Sequence, residues 1–560
     1  MKNNRKINKL NYRKVFTAVA AFVLAAAVLA ACSLDRGWRN TSKGPARDMK
    51  QENINAEYCS DFRVANVFSD GMVLQRNEYV RVWGFADEKE NGKKISGEFK
   101  GVRADALIEN GEWTLVFMKT FKADPSPSVL RVFAGEKEVV FENVLVGDVY
   151  MVSGQSNIAY SMELHWSFFP DDKTRCPREA VDPDLPIRLN YSTQDRINGV
   201  SVRGTSEVAK DIDADKAGWT LADEQHVANF TALGYMFAYN YVKMTNGKVP
   251  VGLVYIDGCG RPLGCFLPNE VAEKYETDAF STKLGYYLTT GVNGEWGRFL
   301  YNEYFYPFEK MAINGFIWYQ GESDFLENES ARYSAAFTAM IDHMRAAHNL
   351  VNPDFPVYYV EFPPIYTQAP DYAGSDPWAF MDVGKIRAIM GGMATGNTNF
   401  YQIQSSDLWY DTTYWNSLHP NCKYEQAVRA AKIACAANGE GGVRMSQAGG
   451  PVVESVTFSK DFKKATVKFK NVGYGLKTTD NQRLVKGFNV LLRNEIIYSY
   501  EVKARLVGRD TVEITCEYPF DGVAYNAITT YSFGNEITLE NSAGIPAGAF
   551  LIKSENGLKF

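Results

Sequence analysis

The sequence predicts an α/β domain with a parallel sheet, flanked by two all-β domains of the sandwich type. Within residues 144–440, the apolar runs DVYMVS, VGLVYI, GFIWYQ and VYYVEF alternate with helical stretches, as they do in α/β proteins with a parallel sheet. Residues 58–143 and 441–560 differ, because short runs of alternating apolar and polar residues are separated there by Gly, Asn, Asp and Pro. That pattern predicts short strands and turns.

The clearest helix of the α/β region is predicted over residues 330–349. Its apolar residues recur at spacings of three and four and so share one face: Tyr333, Phe337, Met340, Ile341, Met344 and His348. Long loops are expected at 165–218 and 262–300. Loops beyond a parallel sheet are where α/β proteins place their functional sites.

Composition and charge limit the possible partners. The 560 residues allow several domains, and 46% hydrophobic with 22% charged residues is typical of globular proteins. The net charge of −6 and the lack of a basic stretch after residue 50 argue against binding to nucleic acid. Aromatic residues make up 14% of the chain, which suits β-rich domains and sugar-binding surfaces.

The N-terminus has the features of an export signal. A basic segment, MKNNRKINKLNYRK, precedes the apolar run VFTAVAAFVLAAAVLAA, and the run ends at Cys32 in LAAC, which resembles a bacterial lipobox. This predicts a lipoprotein signal peptide over residues 1–31, lipidation of Cys32 and a polar tether over residues 32–57. The protein would then be exported and anchored to a membrane, on its periplasmic or cell-surface side. A plain signal peptide or a single spanning helix is the alternative.

The cysteines and histidines show no zinc-ligand spacing, so we expect no zinc site of that kind. Without Cys32, seven of the eight cysteines remain. Because seven is odd, at least one thiol should be free within a monomer.

Ser156 follows the apolar run VLVGDVYMVS, in the turn GQSN before a possible helix. Unpaired N–H groups at a helix start favour negative charge, so the Ser156 N–H could hold an oxyanion while the hydroxyl attacks. The motif does not fit the G-x-S-x-G pattern, because Ile158 replaces the second glycine. The alternative is that Ser156 caps a helix.

A nucleophilic serine needs a base, and the chain has only five histidines. His419 lies in NSLHP, directly before the predicted helix KYEQAVRAAKIACAA, and the following proline keeps it out of helical geometry. His165 is a minor candidate for base or substrate contact. We expect His226 to lie in a loop, and His343 and His348 to be structural or solvated.

Two further turns follow predicted strands. Gln320, in WYQGESD, would present an amide donor at a strand end, although Ser323 or Asp324 could simply cap a helix there. The turn GCGRP follows VGLVYID, and its glycines would let a backbone N–H approach a ligand. Cys259 in that turn is an alternative nucleophile, but no histidine lies near it in the sequence.

Five stretches together resemble the sialate O-acetylesterase family, a branch of the SGNH hydrolases. They occur in the family's order over residues 64–435: FSDGMVLQRNEYVRVWGFAD, VLVGDVYMVSGQSN, PVGLVYIDGCGRP, RFLYNEYFYPFEKMAINGFIWYQGESD and LHPNCKYEQAVRAA. The resemblance implies a flavodoxin-like SGNH sheet and hydrolysis of O-acetyl esters on sugars without metal or cofactor. It further implies Ser156 as nucleophile, His419 as base, and Ser156, Gly260 and Gln320 as the oxyanion hole.

The sequence departs from the family pattern next to the base. SGNH enzymes commonly have an acid three residues before the histidine, where this chain has Asn416. Asn416 could orient the imidazole but supplies no charge. Asp407 or Asp411 could take that place, or serine and histidine could act as a dyad. Glu322 is expected to support Gln320 or its turn.

The glycine loop departs as well. The family's Gly-Gly pair and the Glu and Trp that follow it are replaced by Cys259-Gly260, Gly264 and Phe266. The expected substrate is 9-O-acetylated sialic acid. The alternatives are an esterase for acetylated xylan or hemicellulose and a glycan-binding lipoprotein without catalysis.

Overall fold

The structure is a computed structural model, and the residues it describes are 54–191, 209–214, 217–275, 300–324, 327–362, 378–408, 419–492, 495–497, 502–526 and 537–554. The predicted signal peptide, Cys32, Asp411 and Asn416 lie outside these ranges. The chain from Asp48 to Phe560 forms one unit by its contacts. Within the described part, no helix is both long and apolar enough to cross a membrane.

A largely parallel sheet forms the centre of the described chain. Its strands are β8 (Lys137–Gly154), β9 (Ile187–Tyr191), β10 (Trp219–Leu221), β11 (Val251–Asp257), β12 (Gly315–Tyr319), β13 (Val357–Val360) and β14 (Phe400–Ile403). They follow the order β10-β9-β11-β8-β12-β13-β14, and only β10 pairs antiparallel with its neighbour. The predicted apolar runs are therefore buried parallel strands, covered on both faces. The α/β class predicted from the sequence is confirmed.

The first predicted long loop is wrong in part. Residues 165–218 include the end of the helix Met162–Phe168 and the whole of β9, every residue of which is buried. The run IRLNY contains Arg188 and Asn190, and these polar residues hid the strand in the sequence. The second predicted loop contains a 3-10 turn, Leu263–Phe266, and a short helix.

Helices pack beside the sheet. They are α1 (Met162–Phe168), α2 (Glu224–Asn229), α3 (Ala232–Met244), α4 (Asn269–Tyr275), α5 (Glu327–His348), α6 (Trp378–Gly396), α7 (Lys423–Asn438) and α8 (Met445–Ala448). Short 3-10 turns lie at Glu88–Glu90, Arg178–Ala180, Leu263–Phe266 and Tyr306–Phe308, and a π-helical turn at Tyr301–Phe305. The predicted apolar face of α5 is confirmed, because all six of its residues are buried.

The N-terminal β region is continuous with the central sheet. Its strands are β1 (Arg63–Val64), β2 (Val73–Gln75), β3 (Tyr79–Phe85), β4 (Lys94–Phe99), β5 (Val102–Leu107), β6 (Glu112–Thr120) and β7 (Asp124–Ala134). The 18-residue strand β8 crosses the predicted boundary at residue 143. It pairs with β7 near its start and with β11 and β12 at its end. One apolar core therefore spans both regions.

The C-terminal β region has an apolar core of its own. Its strands are β15 (Val452–Phe458), β16 (Lys464–Lys470), β17 (Leu476–Thr478), β18 (Phe488–Leu492), β19 (Glu495–Ile497), β20 (Lys503–Leu506), β21 (Thr511–Thr515), β22 (Gly522–Tyr525), β23 (Leu539–Asn541) and β24 (Phe550–Lys553). Buried polar groups join it to the α/β region. Glu361 accepts a hydrogen bond from the Ala549 N–H, and the guanidinium of Arg387 donates to Asn526.

Six of the described cysteines are buried thiols that form no disulfide: Cys59, Cys176, Cys265, Cys422, Cys435 and Cys516.

Candidate active site

Three turns meet at one edge of the central sheet. Gly154, the last residue of β8, lies level with Asp257 of β11 on one side and with Tyr319 of β12 on the other. Because the three strands are parallel, the turns that follow them leave the same edge. The turn after β8 carries Ser156 and the turn after β12 begins at Gln320, so residues far apart in sequence become neighbours.

The Ser156 turn requires a glycine before it. Gly154 has φ +147°, and a Cβ built there would lie 2.1 Å from the Tyr319 carbonyl oxygen. The next residue continues this close approach, because the Gln155 N–H donates to the same carbonyl at 3.1 Å. A side chain at Gly154 would push the two strand ends apart.

The Ser156 hydroxyl faces His419. The distance from Ser156 Oγ to His419 Nε2 is 2.9 Å, and Ser156 is half-buried. Ser156 is not the cap of the following helix. The Ser161 side chain caps α1 by accepting from the Leu164 N–H at 3.2 Å.

The imidazole of His419 is kept neutral. Burial, and after it the nearby ammonium of Lys423, lower its pKa to about 4. A neutral imidazole with its proton on Nδ1 can accept a proton at Nε2. The arrangement therefore places an unprotonated base against a hydroxyl at neutral pH.

Gln155 ties the Ser156 turn to the turn after β12. Its side-chain oxygen accepts from Gln320 Nε2 at 3.2 Å, from the Gly321 N–H at 3.3 Å and from the Ser323 N–H at 3.1 Å. These contacts set the spacing between the two turns.

Gln320 is fully buried at the predicted strand end. Its amide nitrogen donates to Gln155, to the Arg261 carbonyl at 3.1 Å and to the Asp324 carboxylate. Its oxygen accepts from the Tyr333 hydroxyl at 3.0 Å. Since an amide has two hydrogens and three acceptors surround this one, donation to an oxyanion requires one of these contacts to give way.

Gly260 lies in an exposed turn after β11. It has φ +68°, and a Cβ there would meet no atom within 4 Å. The turn is held at its base by the Gly258 N–H, which donates to the Gly154 carbonyl at 2.9 Å. Among the described residues, the N–H groups of Ser156 and Gly260 have no hydrogen-bond partner. Cys259 is half-buried in the same turn.

A buried chain of polar side chains lies beside the pair. Asn157 Nδ2 donates to Glu322 Oε1, and Lys423 Nζ donates to Asn157 Oδ1 at 2.8 Å. Burial raises the pKa of Glu322 to about 7 and lowers the pKa of Lys423 to about 8. Glu322 thus supports the Ser156 turn through Asn157.

The candidate orienting residues of His419 are only partly described. Asp407 pairs with Arg429, whose guanidinium donates to both carboxylate oxygens at 2.7 and 2.6 Å. In the described part of the chain, Asp407 makes no hydrogen bond to His419. Asn416 and Asp411 lie outside the described residues.

The other histidines lie elsewhere. His165 is buried in α1 with its Nε2 2.8 Å from the Arg175 carbonyl, so it is not the base for Ser156. His226 lies in helix α2 rather than in a loop. His343 contacts the carboxylates of Glu270 and Glu309, and His348 is buried against the Met311 carbonyl, as expected for structural residues.

Sequence reasoning missed Lys423 and Asn157. One signal was available, because Lys423 is the first residue of α7 and a cation is disfavoured at a helix N-terminus by the dipole. Within the described ranges, no group of three or more His, Cys, Asp or Glu side chains could hold a metal ion.

Part of the chain matches the model of a known family. Residues 146–372 match the family model described as carbohydrate esterase, sialic acid-specific acetylesterase. This stretch includes Ser156, Gly260 and Gln320, and it ends before His419. The matched region is therefore similar in sequence to carboxylic ester hydrolases.

Individual relatives share only about a fifth to a quarter of the aligned residues with this chain. The human sialate O-acetylesterase is 22% identical over 311 residues, which are 51% of this chain and 53% of the relative. The rat sialate O-acetylesterase is 23% identical over 329 residues, or 50% of this chain and 55% of the relative. The chain thus spans about half the length of the curated relatives it matches. The crystal structure of a carbohydrate acetylesterase from Xanthomonas citri has the same fold, with a TM-score of 0.65 and 21% identity over 88% of this chain and 100% of that chain.

Proposed function

We propose that the protein is a serine esterase that removes O-acetyl groups from sugars. The observation that carries this proposal is the 2.9 Å contact between Ser156 Oγ and His419 Nε2 at the carboxyl edge of the parallel sheet. A hydroxyl, a neutral imidazole and unused backbone N–H groups are the parts that acyl transfer requires. In this proposal the α/β region is of the SGNH type, with β regions on both sides.

The first step forms an acyl-enzyme. His419 Nε2 takes the proton of the Ser156 hydroxyl while Oγ attacks the acetyl carbonyl carbon. The carbonyl oxygen becomes an oxyanion. The tetrahedral intermediate then collapses, the bond to the sugar oxygen breaks, and His419 gives its proton to that oxygen.

The second step releases acetate. His419 takes a proton from water, and the resulting hydroxide attacks the acetyl group on Ser156. Collapse of the second intermediate returns the proton to Ser156 Oγ and frees acetic acid. The acid then loses its proton to the solvent and becomes acetate.

The oxyanion would be held by the N–H groups of Ser156 and Gly260. Both lie on turns that leave the same sheet edge, and both donors are available among the described residues. Gln320 is the third proposed donor, and its amide would have to leave one of its present acceptors. Its present contacts position the Ser156 turn.

For the substrate we propose an acetylated sialic acid, with the acetyl group at the 9-position. The support is the matched family model and the curated sialate O-acetylesterases. The Xanthomonas citri neighbour is described more broadly as a carbohydrate acetylesterase. Acetylated xylan or hemicellulose, the alternative predicted from the sequence, is the second candidate.

Export and lipid anchoring remain part of the proposal. They are supported by the basic segment, the apolar run and Cys32 in the sequence. Metabolic labelling with a fatty acid in the wild type and in Cys32→Ala tests them directly. Label in the wild type that is lost in the variant would support the anchor, and equal label in both would exclude lipidation at Cys32.

Acetate release tests the enzymatic proposal. The chain lacking residues 1–32 is compared with its Ser156→Ala variant on 9-O-acetylated sialic acid and on acetylated xylan. We expect release by the wild type and a loss of at least about 10⁴-fold in the variant. Acetate release from xylan alone would show that acetylated xylan, rather than sialic acid, is the substrate. Binding of either sugar without release would show a glycan-binding protein instead.

A further inference from the structure

The Lys423 ammonium contacts both halves of the proposed pair through the residues that follow them. Its Nζ donates to Asn157 Oδ1 at 2.8 Å and to the Pro420 carbonyl at 2.7 Å. Asn157 directly follows Ser156, and Pro420 directly follows His419. One buried cation therefore spans two segments that are more than 260 positions apart in the chain, since Lys423 and Asn157 are separated by 266.

The contact extends to the turn after β12, which begins at Gln320. The Asn157 amide, which accepts from Lys423, donates to Glu322 Oε1. Glu322 lies in the turn that begins at Gln320, and its second oxygen, Oε2, is buried without a hydrogen-bond partner among the described residues. A carboxylate, an amide and an ammonium thus connect all three segments in series.

The site of Lys423 is unfavourable for a cation that has only a packing role. The side chain is fully buried, so its ammonium loses its hydration. Cation–π contacts with Tyr160 and Tyr319, whose ring centroids each lie 5.0 Å from Nζ, offset only part of that cost. It occupies the first position of α7, where the helix dipole opposes a positive charge. An apolar residue of similar volume would often be as stable in such a place. The polar contacts, rather than packing, account for a lysine here.

We propose that Lys423 is a positioning residue, whose ammonium joins the turn carrying Ser156 to the loop carrying His419 and so sets the distance for proton transfer between them. This rests on the proposed function of that pair. Lys423 would touch neither the substrate nor the reacting atoms.

The charge also acts on His419. After burial, the Lys423 ammonium is the second cause that lowers the pKa of His419 to about 4. The groups whose charge acts on the ammonium are Cys422 and Glu322, and burial raises the pKa of both. The tyrosines that contact it, Tyr160 and Tyr319, also have pKa values raised by burial. Removing the ammonium should therefore raise the pKa of His419. The acid limb of kcat/KM, which marks protonation of the base, should move to higher pH.

The principal variant is Lys423→Met, which keeps a long unbranched side chain but removes the charge and both hydrogen bonds. Lys432→Met is its matched control, because Lys432 is an exposed residue of the same helix. We expect Lys423→Met to lower kcat by roughly 100-fold with KM changed by less than about twofold, as for a small misplacement of reacting groups. Lys432→Met should keep wild-type values and the wild-type pH profile.

Two readouts do not need the natural substrate. The rate at which a fluorophosphonate labels Ser156 reports activation of the hydroxyl. The pKa of His419 is measured from its ring proton by NMR, with His419→Gln used for assignment. In Lys423→Met we expect slower labelling and a higher His419 pKa. Unchanged labelling and an unchanged pKa in a folded variant would overturn the proposal.

A second variant covers a failure of Lys423→Met to fold. Asn157→Ala removes the link to Ser156 but keeps the cation, so it should also lower kcat and slow labelling. Where both variants fold, their double variant should lose little more than either alone, because they break one connection. If the fold-losses in kcat of the two single variants multiply in the double variant, Lys423 and Asn157 do not act through one connection. Full activity in Asn157→Ala would contradict the proposal in the same way. A wild type that labels but releases no acetate fails the proposed substrate alone, whereas absence of labelling at Ser156 removes both proposals.

Discussion

The turn that carries Ser156 and the loop that carries His419 are held by different kinds of interaction. The serine follows a strand in the middle of the parallel sheet, and main-chain contacts fix its turn: Gly154 lies against the Tyr319 carbonyl, and the Gln155 N–H donates to that carbonyl. His419 follows residues 409–418, outside the described ranges, and its loop is held by the Lys423 side chain.

The stretch before residue 409 depends on the C-terminal β region. The buried Glu361 carboxylate accepts from the N–H groups of Ser405 and Ser406, from the Ser406 hydroxyl and from the Ala549 N–H. The nucleophile is thus placed mainly by one sheet, with added side-chain contacts. On the side of the base, the segment that ends at residue 408 is held by a buried carboxylate that also contacts a second region. Substitutions should therefore cost most on the serine side and least on the periphery of the histidine side.

The largest effect is expected at Gly154. In Gly154→Ala the new Cβ would meet the Tyr319 carbonyl in a strained backbone, so we expect a loss of about 3 kcal/mol or more in the free energy of unfolding, and of activity with it. Gly260→Ala, with open space around the Cβ, should lose only about 1–2 kcal/mol. Denaturant unfolding of both variants measures this, and equal losses would show that the Ser156 turn is not held by this close approach.

Gln320→Ala comes next. Turnover should fall about 100- to 1000-fold if the amide also reaches the oxyanion. Because the buried amide holds Gln155, Arg261 and Asp324, stability should fall by about 2 kcal/mol as well. The measurements are kcat and thermal unfolding, with the exposed Gln447→Ala as control. Reduced stability with normal kcat would leave Gln320 a purely structural role.

On the histidine side, Glu361→Gln tests the link to the C-terminal region. A neutral amide cannot accept the four hydrogen bonds of the carboxylate, so we expect a loss of about 2 kcal/mol. The fall in kcat should be roughly tenfold, below the ~100-fold of a 1 Å misplacement. Glu454→Gln is the control, because Glu454 pairs only with Lys468 at the surface. An unchanged kcat in Glu361→Gln would show that the position of His419 does not depend on the C-terminal β region.

The smallest effect is expected for Asp407→Asn. Asp407 is 40% exposed in its side chain and pairs with Arg429, so kcat should change by less than about threefold. An acid that orients the base would behave differently, since its replacement by Asn costs on the order of 10⁴-fold. A loss of that size in steady-state assays would show that Asp407 is the acid that orients His419.

Local patterns in the sequence were enough to locate the ends of the strands and the residues that follow them. Apolar runs and glycines are local signals, so they predicted β8, β11, β12 and β13 and the turns with Ser156, Gly260 and Gln320. They also gave the amphipathic face of α5. The short strand β9 was missed because two of its five residues are polar, and local pattern cannot show that such residues will be buried.

Which side chains come into contact depends on the fold as a whole. Ser156 and His419 are 263 positions apart, and their contact depends on how α7 packs against the sheet. The same holds for the carboxylate of Asp407, which pairs with Arg429, and for Lys423, which reaches Asn157. Hydrogen bonds between side chains depend on distances and angles that the whole fold sets, so no pattern of neighbouring residues encodes them.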